Sequence, residues 1–122
     1  MDLRPDSLRT PQLLIRLDLV RENLRRMREM LGGDLSRWQP HLKTAKAPAV
    51  FCEMLDFGIR HFECATVREA RYLIQAADEQ NQAVDLLLAI NLGGRNLLDF
   101  ADLAKRHPQH DLALLTESPE HA

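Results

Sequence analysis

Lys43 and His41 are the residues of this 122-residue chain whose types and spacing point most directly to chemistry. A neutral lysine amine attacks a carbonyl carbon and forms a Schiff base, and it loses its proton more readily when desolvated or beside another cation. His41 could add a hydrogen bond or positive charge next to it. The segment Arg37-Trp38-Gln39-Pro40-His41-Leu42-Lys43-Thr44 reads as a strand that ends on this lysine. Alternation puts Arg37, Gln39, His41 and Lys43 on one polar face and Trp38, Pro40 and Leu42 on an apolar one. With the apolar face under helices, the polar set lines the inside of an α/β structure. Lys43 then emerges at the C-terminal rim, where such folds keep their active sites.

Other reactive side chains have a structural explanation. Lys46 falls where the next helix begins and reads as solvated. Thr66 could approach the same rim, but Thr66-Val67-Arg68-Glu69 has the Thr-x-x-Glu form of a capping box. His107 and His110 form a His-x-x-His pair interrupted by Pro108, with no neighbouring carboxylate or cysteine to complete a ligand set, so they read as an exposed loop. Residues 91–95, Asn-Leu-Gly-Gly-Arg, lie between a strand and a helix where backbone N–H groups can receive a phosphate. Their two glycines lack the spacing of a nucleotide motif and read as a tight turn, with Asn91 at the rim. Cys52 and Cys64 sit apart and read as reduced, packed thiols rather than a redox or metal pair.

The elements that must position Lys43 follow from periodicity. Residues 12–17 read as a short leading strand. In residues 19–31, Val20, Leu24, Met27 and Leu31 make one buried helical stripe that ends at Gly32-Gly33. A helix over 47–57 carries Pro48 in its first turn and Gly58 beyond its end. Strands follow at 61–65, 85–90 and 111–116. A helix runs from the Thr66 cap to about Asp78, and another is marked by Leu97, Phe100, Ala101 and Ala104. Ser118-Pro119-Glu120 resembles the start of one more helix. Strands beginning at 37, 61, 85 and 111 give a nearly constant step, the rhythm of a parallel α/β fold. A doubly wound sheet and a (β/α)8 barrel share that rhythm. The expected fold is the N-terminal part of a (β/α)8 barrel, incomplete, with about four barrel strands plus the leading strand; a whole barrel needs about 250 residues.

Composition sets the limits. An apolar fraction of 45% and a formal net charge of −2 describe an ordinary soluble domain or a piece of one. No apolar run approaches the ~18 residues that span a bilayer, and the polar start lacks a secretory h-region, so no membrane partner and a cytoplasmic location are expected. The arginines of residues 21–28 are interspersed with acids and lack aromatic companions, so a nucleic-acid partner is not expected.

Taken together, Thr10-Pro11, Pro40-His41-Leu42-Lys43-Thr44, Cys64-Ala65-Thr66-Val67-Arg68-Glu69-Ala70 and Ser118-Pro119-Glu120 resemble the N-terminal part of the D-threonine aldolase and D-serine dehydratase group. These are alanine racemase-like, fold-type III enzymes that use pyridoxal phosphate. The resemblance implies a barrel in which Lys43 carries the cofactor, with His41 beside it. It implies a small D-amino acid substrate, a divalent metal held by residues beyond Ala122, a C-terminal β domain after the barrel, and a homodimer. It points first to a lyase of the D-threonine aldolase kind, cleaving Cα–Cβ of a β-hydroxy D-amino acid. The alternatives are a D-serine dehydratase or a racemase of the same fold, or a non-catalytic doubly wound binding module. On this reading the chain is a fragment, inactive by itself. Thr44-Ala45-Lys46 departs from the commoner Thr-His-Lys continuation, and the catalytic bases are not identifiable.

Overall fold

The structure, a computed structural model, describes residue 9 and residues 11–117. Thr10 and Ser118-Pro119-Glu120, quoted for the resemblance, lie outside the described residues. The elements run α1 (Leu17–Met30), α2 (Pro48–Asp56), β1 (His61–Cys64), α3 (Val67–Glu79), β2 (Asp85–Leu88), α4 (Gly94–Arg106) and β3 (Asp111–Leu114). Short 3-10 turns at Leu35–Arg37 and Leu42–Thr44 separate α1 from α2.

The strands form an open sheet in the order β1-β2-β3, all parallel. Phe62, Leu86 and Leu112 align across it, as do Cys64, Leu88 and Leu114. Because alternate residues share a face, these six make one apolar side. It merges with Phe51 and Leu55 of α2, Leu73 and Ile74 of α3, and Phe100 and Leu103 of α4 in a single core. Phe51, Phe62, Leu42, Leu55, Ile59, Leu73 and Leu88 are fully buried there. The opposite side carries the aligned rows His61, Asp85, Asp111 and Glu63, Leu87, Ala113. None of these six is buried.

Local chemistry ends the helices as expected. After α1, Gly33 N–H donates to Arg28 O at 2.8 Å and Gly32 N–H to Glu29 O at 3.0 Å, with φ of +88° and +66° that favour glycine. In the α1 stripe only Leu24 is buried, while Val20, Met27 and Leu31 are half-buried. At α3, Thr66 Oγ1 accepts from Glu69 N–H at 3.1 Å. The Glu69 carboxylate accepts from Ala65 N–H at 2.9 Å, one residue upstream of the usual capping-box partner.

Two expected strands are corrected. Residues 12–16 have no regular structure, and Leu17 already belongs to α1. An extended segment is stabilised by a neighbouring ladder, and no described strand lies beside this one; Leu13 is 81% exposed and Leu14 54%. The lysine strand shrinks to one parallel bridge, His41 to Glu63. Pro40 has no N–H to donate, so only its carbonyl pairs, accepting from Glu63 N–H at 3.0 Å. Gln39 Nε2 donates to Phe62 O at 2.9 Å, a side chain doing what a ladder N–H would do. Beyond the bridge, Lys43 N–H donates to His41 Nδ1 and Thr44 Oγ1 to His41 O, which turns the chain into its 3-10 helix. The described sheet therefore has three strands and a bridge rather than four strands and a leading one.

Candidate functional site at the C-terminal end of the sheet

Lys43 follows the His41 bridge by two residues, so it stands at the end of the sheet where β1, β2 and β3 finish. The alternation read from the sequence persists although the ladder does not: Pro40 and Leu42 are buried, Trp38 is half-buried, and Arg37, Gln39 and Lys43 are exposed. Leu42, fully buried, anchors the turn that presents the lysine. The Lys43 ammonium meets no acid or hydrogen-bond acceptor among the described residues. The desolvation expected for it is not supplied here, because the open face of the sheet has no covering layer in the described structure. His41 is half-buried, and its Nδ1 lone pair receives Lys43 N–H at 3.1 Å. That bond uses the Nδ1 lone pair to hold the lysine backbone.

Beside this rim lies a cleft of about 530 Å³ lined by Ala65 and Thr66 after β1, the first turn of α3 with Arg68, Tyr72 in its second turn, Leu92 and Asn96 after β2, and Lys46. Lys43 is not among its lining residues, whereas Lys46, read from the sequence as merely solvated, is. Lys46 has φ of +48°, a left-handed conformation unusual for a residue with a Cβ. Its N–H bonds back to Leu42 O at 3.0 Å, a turn that holds it there. From the glycine turn Leu92 reaches the cleft rather than Asn91, joined by Asn96 from the first turn of α4. Thr66 keeps its capping bond while lining the cleft.

At the opposite end of the sheet, the His-x-x-His pair is corrected. His110 is buried, its side chain fully, and Asp78 of α3 supplies the carboxylate that local sequence did not show. Asp78 accepts from His110 Nε2 at 3.0 Å, from His107 Nδ1 at 2.8 Å and from Gln109 Nε2 at 2.6 Å. Burial works to raise the Asp78 pKa, but the bonds from His110 and Gln109 and the neighbouring imidazoles outweigh it and hold the carboxyl below its ordinary range. One ligand atom from each of Asp78, His107 and His110 lies within 4.8 Å of the others, close enough to surround a metal ion. However, Val84 N–H donates to His110 Nδ1 at 3.3 Å, which places the ring proton on Nε2, where a metal would need the lone pair. The trio therefore works as a clasp joining α3 to the loop before β3. The pairing of residues some thirty apart is set by packing, and only the acid at the end of the α3 pattern hinted at it.

The cysteines are free thiols. Burial, assisted by the Glu69 charge, pushes the Cys64 thiol up to about 12, so it packs under the sheet as a neutral group. No helix among the described residues is long and apolar enough to cross a membrane.

Comparison with known proteins adds one relative. The chain is 28% identical over 112 residues to D-threo-3-hydroxyaspartate dehydratase of Delftia sp. (strain HT23). The match covers 92% of the chain but 28% of that protein, so the chain spans about a quarter of its relative's length. No family model and no solved structure matches the chain.

Proposed function

We propose that this chain is the N-terminal part of a pyridoxal-phosphate enzyme that acts on β-hydroxy D-amino acids, with Lys43 holding the cofactor covalently. The observation that carries the reading is the position of Lys43: an amine with no acidic partner among the described residues, at the C-terminal end of a parallel sheet, two residues after the His41 bridge. The Pro-His-x-Lys-Thr resemblance and the similarity to a hydroxyaspartate dehydratase support it from the sequence. That similarity favours dehydration over the aldol cleavage first suggested. The reaction would then remove the Cα proton and the β-hydroxyl of the substrate. On this reading the open sheet face is the inner wall of a barrel whose remaining strands would shield Lys43 from water.

The donor set suits the cofactor. Lys43 offers a primary amine, and Lys46 and Arg68 stand at the neighbouring cleft with positive charge for an anionic group. Pyridoxal phosphate, when bound, supplies an electron sink that lets a bond at the substrate Cα break. The chain's own part is positional. Buried Leu42 and the His41 Nδ1 bond fix the lysine backbone, and His41 would contribute a hydrogen bond to the cofactor.

The test is reduction of the protein with borohydride in the presence of pyridoxal phosphate, followed by peptide mapping. Expected is one stable adduct on Lys43, lost in Lys43→Ala. Labelling of Lys46 instead would move the covalent role to the lysine that lines the cleft. Labelling spread equally over Lys43, Lys46 and Lys105 would sink the enzymatic reading in favour of a binding module.

A further inference from the structure

We infer that the cleft at the ends of β1 and β2 is a binding site for an oxyanion, a carboxylate or phosphate group, gripped by Lys46 and Arg68. The site stands on geometry of its own. Only the identity of its natural ligand rests on the function proposed above, where it would be the second carboxylate of an acidic substrate or the cofactor phosphate.

Three observations converge. Lys46 and Arg68 both line the cleft, and neither side chain has an acidic partner or acceptor among the described residues, although most other arginines do. The one acid in the lining, Glu69, is buried and its carboxylate is engaged by Ala65 N–H, so it takes up a backbone donor rather than a cation. The cations approach from separate elements: Arg68 from the first turn of α3, and Lys46 from the left-handed turn before α2. They therefore meet at this cleft only in the folded chain. Two cations without a direct ion pair, against the one buried Glu69 carboxylate, leave the concavity net positive, and Asn96 and Tyr72 add the hydrogen-bond donors that an oxyanion takes up. The α3 N-terminus adds a favourable dipole without being needed for the case.

Titration of the 122-residue chain with inorganic phosphate and, separately, with succinate, followed by amide chemical shifts at low ionic strength, tests this. Saturable shifts should centre on Lys46, Val67 and Arg68, and added salt should weaken binding. Lys46→Gln and Arg68→Gln should each weaken it roughly tenfold, the scale of one charge-assisted hydrogen bond. Lys46→Arg should retain it, and Lys105→Gln, on α4 outside the cleft, should not matter. Preference for phosphate marks a cofactor-phosphate site, and preference for succinate a substrate-carboxylate site. Unsaturable shifts in the parent chain, or equal weakening by Lys105→Gln, overturn the inference. The parent titration and its salt dependence decide even if a variant does not fold. Borohydride trapping at Lys43 is read separately, so loss of the anion site leaves the proposed function standing, and the converse holds.

Discussion

Replacing Asp78 by alanine should expose how much of the fold depends on the clasp between α3 and the loop before β3. The carboxylate accepts three hydrogen bonds, from His110, His107 and Gln109. The His110 side chain is fully buried, so its Nε2–H would lose the acceptor it has among the described residues and find no water, at a cost of about 1–3 kcal/mol. His107 and Gln109 reach solvent, which replaces their lost bonds; each adds roughly 0.5 kcal/mol at most. A loss of about 1–4 kcal/mol follows, at roughly 3–6 °C in Tm per kcal/mol for a chain of this size. Thermal and urea unfolding by far-UV circular dichroism would measure it. The pH dependence has a definite sign. A carboxyl whose folded pKa is depressed contributes its full stability above its unfolded value, near ~3.9, and loses it as pH falls through the lower folded value. The gap between parent and variant should hold from pH 7 to pH 5 and narrow below about pH 4. A loss under about 0.5 kcal/mol at pH 7, or one equally large at pH 7 and pH 3, would refute the clasp.

The same clasp predicts that zinc at micromolar concentration leaves the parent Tm unchanged; a rise of several degrees would show that the imidazoles release their protons to metal. Phe62→Ala, at a fully buried position in the middle of the core, should cost about 3–5 kcal/mol and remove cooperative melting if the chain is only marginally stable. Thr66→Ala should cost about 1 kcal/mol in urea unfolding, because Glu69 N–H loses its cap.

Strand starts at residues 61, 85 and 111 were legible from short apolar runs between helix signals, but the uninterrupted run from Leu86 to Ile90 suggested burial on both faces, and among the described residues only the Leu86 and Leu88 side is buried. The α3 cap was legible because Thr-x-x-Glu satisfies donors within one turn, and Pro48 and the glycines after α1 act through their own backbone torsions. The two strands that failed are those whose partners local sequence cannot supply. Residues 12–16 have strand-like residues but no neighbouring strand among the described residues, and the lysine segment has one neighbour, whose pairing Pro40 and the His41 side chain interrupt.

The site divides along the same line. Residue type and alternation pointed to the burial of Pro40 and Leu42 and the exposure of Gln39 and Lys43, although a 3-10 turn rather than a strand carries the last two of that series. Only the tertiary structure decided that Lys46 and Arg68 share a cleft and that Asp78 completes the histidine pair. Those side chains come from elements separated by some twenty to thirty residues, and it is burial of Phe51, Phe62 and Leu88 in one core that brings them together.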